Sequence, residues 1–158
     1  MLRSFNIKQI LIDLLKSNIY TSTIVNFNRD RLFNTGRDVK GNEITTFSKS
    51  GSQVYAKWTI KEKEKLDLPT NVVTGYMTGK LHESIVDKTN NTFIDVVANK
   101  QRMSLFLENI SSDHEMILGL NEEDKKIVIG MLERDLIQRI TNEATEEHFI
   151  DTELLRYV

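Results

Sequence analysis

Apolar residues recur at helical spacing toward both ends of the chain and alternate with polar ones in the middle. Ile7, Ile10, Leu11, Leu14 and Leu15 form one stripe, which predicts a helix over 6–16 with Asn6 as its N-cap. Ile24, Val25, Phe27 and Leu32 predict a second helix over about 22–33, although Tyr20, Thr21 and Thr23 also suit a strand. Residues 34–52 are rich in Asn, Gly and Ser and read as a long polar loop, mobile alone and ordered against a neighbouring subunit. Helix resumes near Ser52 or Gln53, carries Val54, Tyr55, Trp58 and Ile60, and stops before Pro69. Lys57, Lys61, Lys63 and Lys65 fall on its solvent side in this reading. Phe93-Ile94-Asp95-Val96-Val97 reads as a strand, paired with 81–87 through the turn residues 89–92. Met103, Leu105 and Leu107 suit a strand or a short helix, and 115–118 a short edge strand.

The firmest element is a helix over 121–145. Asn121 is an N-cap, Glu122, Glu123 and Asp124 follow it, and Val128, Met131, Leu132, Leu136, Ile140 and Ala144 trace one face. Ile127, Ile129 and Ile137 widen that face, so it is expected to be covered on both sides, in part by a partner. The expected fold is α+β: a small antiparallel sheet packed by an N-terminal helix and a long C-terminal helix, with a long polar loop. One domain covers 1–145, including the loop over 34–52, and a tail covers 146–158.

Charge sharpens this picture. The formal net charge is only -2, yet residues 1–66 hold twelve Lys/Arg against six Asp/Glu, and residues 67–158 hold nine against seventeen. Head-to-tail contact between copies uses such an asymmetry, as does a basic face turned toward nucleic acid. The absence of cysteine excludes disulfides, thiolate metal sites and cysteine nucleophiles. No apolar run reaches the roughly 18 residues of a membrane span, and the first residues lack a signal-peptide pattern. A soluble chain with no membrane partner is therefore expected.

Candidate chemistry is sparse. His82, His114 and His148 each adjoin a carboxylate, but none has a second ligand at metal-binding spacing. His82-Glu83-Ser84 contains hydrolase letters in consecutive positions, which cannot converge as a triad does. Thr74-Gly75-Tyr76-Met77-Thr78-Gly79-Lys80 lacks the hydroxyl residue that completes a phosphate loop. No catalytic, cofactor or metal residue is assigned. Gly79 and Gly119 are expected to be structural turns that need positive φ or close backbone approach. Arg29, Arg31, Arg37 and Lys40 are the candidate interface or channel residues. Phe27, Phe33, Phe47, Tyr55 and Trp58 read as core or interface anchors.

Four phrases, in order, resemble one family. They are Asn28-Arg29-Asp30-Arg31-Leu32-Phe33-Asn34-Thr35-Gly36-Arg37-Asp38-Val39-Lys40-Gly41; Phe47-Ser48 with Tyr55-Ala56-Lys57 and Thr59-Ile60-Lys61; Thr78-Gly79-Lys80-Leu81-His82-Glu83-Ser84-Ile85; and Ile117-Leu118-Gly119-Leu120-Asn121-Glu122-Glu123-Asp124. The chain is similar over roughly 25–140 to the phage virion-morphogenesis, or tail-completion, proteins. It departs from them at Glu115, where the family usually has arginine, and at Glu43-Ile44, where an aromatic is common. The resemblance implies a non-enzymatic virion subunit, without cofactor, that forms a homo-oligomeric ring at the head–tail connector, neck or tail end. Its implied partners are further copies, portal, connector or tail subunits, and packaged DNA through non-specific contact. The implied place is the virion, assembled in the host cytoplasm. The alternative is a nucleic-acid-associated accessory protein using the basic N-terminal half.

Overall fold

The computed structural model describes residues 6–46, 55–89, 94–110 and 117–154, with side chains at 6–46, 55–88, 95–110 and 117–144. The fold is α+β. Helix α1 (Ile7–Leu15) begins at Asn6, whose side chain accepts from the Gln9 amide at 3.1 Å. Helix α2 (Asn18–Asp30) starts four residues earlier than the hydrophobic pattern predicts. Its strand-like letters are accommodated because Thr21 and Thr23 turn their hydroxyls onto the carbonyls of Ser17 and Ile19, one turn back. Tyr20, Ile24 and Asn28 then line one buried face, with Thr21 and Val25 beside them.

Helix α2 runs into a π turn, Arg31–Thr35, which ends at Gly36 with φ +57°. The wider turn puts both Arg31 and Leu32 inside. The segment that follows corrects the expectation of an open polar loop. Arg37 pairs with Glu43 in an antiparallel bridge, and the Ile44 amide donates to the Gly36 carbonyl at 2.8 Å. The buried Asp38 carboxylate accepts from the Asn42 amide at 2.8 Å and from its side chain at 3.0 Å. Ile44 and Thr46 are buried, so the composition of this stretch conceals a folded turn. Residues 47–52 of the expected loop lie outside the described residues.

Helix α3 is Lys57–Lys65, shorter than expected at its start. The 81–87 stretch is divided: a single turn of helix, α4 (Lys80–Glu83), precedes strand β1 (Val86–Thr89). Strand β1 pairs antiparallel with β2 (Ile94–Val97) in the register Val86↔Val97 to Thr89↔Ile94. The alternating Met103, Leu105 and Leu107 lie on a helix, α5 (Lys100–Leu107), capped by the Asn99 side chain. Of the expected edge strand over 115–118, residues 117–118 are bends and 115–116 lie outside the described residues.

Helix α6 (Glu122–Leu154) has a reciprocal cap. Asn121 Oδ1 accepts from the Asp124 amide at 2.7 Å, and Asp124 Oδ2 accepts from the Asn121 amide at 3.3 Å. The helix continues past 145, so residues 146–154 extend it and do not form a separate tail. The core has two lobes. Val25, Leu32, Ile44, Tyr55, Val73 and Ile85 belong to one, and Tyr20, Ile24 and Val128 to the other, which includes the flanking Leu14, Leu15, Met131 and Leu132. Helix α2 contributes to both and is the hub that holds the sheet and α6 together. The apolar stripe of α6 is covered only in part by the chain itself: Ile129 and Ile137 are 53% and 66% exposed.

Candidate functional site

Lys63 departs most from the sequence reading. It lies three residues after Ile60 on α3, on the face that packs against the core, and is only 2% exposed. Its Nζ donates to Thr74 Oγ1 at 3.0 Å and to the Tyr76 carbonyl at 2.8 Å, and sits 4.9 Å from the centre of the Tyr55 ring. Among the described residues the amine has no carboxylate partner, and burial alone lowers its pKa to about 8. Lys57, Lys61 and Lys65 are exposed, as expected.

Thr74 organises the surroundings of this amine. It is fully buried; its amide donates to the Tyr55 hydroxyl at 2.9 Å, and its hydroxyl accepts from Lys63 and from the Tyr76 amide. Its carbonyl accepts from His82 Nε2 at 2.8 Å, which requires the proton on that nitrogen. His82 is a core residue and not a surface one. Its ring meets Tyr76 and Phe33 edge-on, with centroids 5.0 Å and 6.3 Å away. Burial lowers its pKa, and the nearby Arg29 and Lys63 charges add to that against the pull of the Thr74 carbonyl. His82→Ala should cost about 2 kcal/mol in a urea melt, because it leaves the buried Thr74 carbonyl unpaired and removes the edge contacts. A change within error of zero would return His82 to the surface. His114 and His148 have no described side chains.

Beside Lys63 lies a half-open cavity of about 460 Å³ between α3, the 73–81 segment and α5. Tyr55, Met77, Leu105 and Phe106 give it a largely apolar wall. Its charged residues, among those described, are all cationic: Lys63 inside, with Lys80 and Arg102 exposed at the rim. No set of three or more His, Asp or Glu suited to a metal occurs among the described residues.

The amine makes stability depend on pH in a definite direction. Its proton is bound less tightly in the folded chain, near pH 8, than in the unfolded one, near 10.5. The unfolded state therefore holds more protons between those values, and stability rises with pH across them. We expect a gain of about 2 kcal/mol between pH 7 and 9.5. Above pH 10 the Tyr20 phenol, raised to about 12 by burial and by Asp135, opposes it. Lys63→Met should flatten the rise; parallel profiles for the two proteins would refute the assignment.

The four basic residues expected at an interface or channel separate into two pairs. Arg31 is buried: its guanidinium donates to the carbonyls of Ile117 and Gly119, to Asn28 Oδ1 and to Asp124, the last at 3.0 Å. Asn28 Oδ1 also accepts from the Gly119 amide at 2.7 Å. Arg29 donates to the carbonyls of His82 and Ile85, both at 2.9 Å, and so ties α2 to the end of α4 and the start of β1. Arg31 is therefore no surface cation, and the half-buried Arg29 is already committed to backbone carbonyls. Arg37 and Lys40 are exposed on the turn after α2, Arg37 in contact with the Gly41 carbonyl and Glu43. Both expected structural turns have positive φ, +77° at Gly79 and +137° at Gly119.

Sequence reasoning missed Lys63 because the alternating Lys-Glu run over 61–65 resembles a solvated face. The available signal was its i+3 spacing from Ile60. No family model matches the chain, and no curated protein or solved structure shows significant similarity to it.

Proposed function

We propose that this chain is a non-enzymatic structural subunit of a tailed-phage virion, acting as a ring at the head–tail junction or tail end. One observation carries the reading: three of the four resemblance phrases coincide with buried joints of the fold. In the first, Asn28, Arg31 and Gly36 are buried and Asp38 braces the turn. In the second, Gly79 takes positive φ, Ser84 Oγ donates to the Leu81 carbonyl and accepts from the Asn99 amide, and Ile85 is fully buried. In the third, Gly119, Asn121 and Asp124 seat the start of α6 on Arg31. The likeness thus falls where geometry restricts residue choice, which supports a shared architecture better than chance agreement on a surface. The accessory-protein alternative loses support, because Arg31 is buried in an ion pair and Arg29, half-buried, is bound to backbone carbonyls.

The exposed isoleucines of α6 and the opposite charges of the two halves suit a heterologous contact, which closes into a ring when its rotation allows. Light scattering after size exclusion, followed by electron microscopy, should show one cyclic species. A chain that stays monomeric at high concentration and occurs singly in a particle would overturn the reading. Steep loss of DNA binding with salt, without assembly, would favour the accessory protein.

A further inference from the structure

A cation buried without a countercharge is costly, and the cost is relieved when an anion arrives. Among the described residues Lys63 is such a cation, and it borders a cavity with an apolar wall and two further cations at the rim. The group that fits must be apolar in bulk and anionic at several points. One stretch of this sequence has that character. From 143 to 155 it carries Glu143, Glu146, Glu147, Asp151 and Glu153 with no lysine or arginine, interleaved with Phe149, Ile150, Leu154 and Leu155.

The described contacts of α6 with the rest of the chain lie earlier in the helix. Helix α6 has 33 residues, about 50 Å of helix at 1.5 Å per residue. The chain's own lobe reaches it through Val128, Met131, Leu132 and the Tyr20–Asp135 hydrogen bond, all in its first half. Asn142 and Ala144 are exposed.

We propose that the cavity beside Lys63 is a socket for the C-terminal stretch of a second copy of this chain, residues 143–158, with its carboxylates against Lys63, Lys80 and Arg102. This deepens the ring reading and rests on it: each copy offers both a socket and a plug. Such a contact is heterologous and propagates from copy to copy until the ring closes. Its electrostatic part is sensitive to salt at the rim and less so at the buried amine.

Full-length charge-reversal variants test it. The socket variant is Lys80→Glu with Arg102→Glu, both at exposed positions. The plug variant carries Glu146→Lys, Glu147→Lys, Asp151→Lys and Glu153→Lys. Each alone should weaken assembly at least tenfold by light scattering, with an unchanged circular-dichroism melt of the folded core. All six changes in one chain, or an equimolar mixture of the two variants, should restore part of it, since at the rim each reversed socket then meets a reversed plug while Lys63 stays cationic. Recovery in the six-fold variant also rules out a folding failure as the cause. A monomeric wild type would overturn the ring reading and the socket with it. Assembly of the wild type with both variants unaffected would overturn the socket alone. Loss in the socket variant but not in the plug variant would do the same, by assigning the cavity to a different segment.

Discussion

Arg31→Ala is expected to cost about 3–5 kcal/mol, enough to leave a domain of this size largely unfolded in mild denaturant. The side chain is 8% exposed and makes hydrogen bonds to two carbonyls, one amide oxygen and one carboxylate. Its removal strands Asp124 as a partly buried charge and frees the Ile117 and Gly119 carbonyls inside the fold. It also loosens Asn28, which is fully buried and holds the Gly119 amide. The matching control is Arg37→Ala. That residue pairs with Glu43 across 3.5 Å in an exposed bridge, so the loss should stay below about 1 kcal/mol. Urea melts of both variants decide the matter. Equal, small losses would mean that the start of α6 is held by apolar contacts alone. A double-mutant cycle with Asp124→Asn should return a coupling of about 1–3 kcal/mol, because the two groups share one network.

The contrast between Arg31 and Arg37 also marks the limit of what sequence alone reveals. The two arginines look alike in the chain. Arg31 is internal only because Gly119 and Asp124, 88 and 93 residues away, are brought onto it, and no local pattern encodes that meeting. Lys63 is hidden for a related reason: its partners Thr74 and Tyr76 reach it through an irregular segment with neither helical nor strand periodicity. Helices α1 and α6 were legible because their signals are local, namely Asn6 and Asn121 as caps and apolar residues at three and four. Helix α2 starts earlier than its letters suggest because hydroxyl-to-carbonyl bonds, which no local pattern announces, let Thr21 and Thr23 sit in a helix. The hairpin was legible in its second strand, Ile94–Val97, whose β-branched run is unambiguous. Its first strand is shorter on the Leu81 side than the sequence suggests, because a four-residue helix is too short to show a period.

Glycine substitutions give the last and sharpest comparison, between two positions that sequence alone treats as equivalent loop residues. Gly36 and Gly41 both have positive φ, +57° and +86°. A side chain at Gly41 would meet nothing within 4 Å, so Gly41→Ala should cost only the backbone term, about 1 kcal/mol. A Cβ at Gly36 would fall 2.8 Å from the Val73 amide nitrogen and 2.9 Å from its carbonyl oxygen. Those are backbone atoms next to the fully buried Thr74, and they cannot rotate aside as a side chain can. Gly36→Ala therefore adds an overpacking cost of about 1–3 kcal/mol to the same backbone term. The push also reaches Thr74, whose hydrogen bonds position Lys63, Tyr55 and His82. We expect Gly36→Ala to lower the melting temperature several-fold more than Gly41→Ala, and to disturb the cavity beside Lys63 although Gly36 does not line it. Equal melting temperatures for the two variants would show that the turn after α2 does not press on the 73–76 segment, and the link between that turn and the cavity would fail.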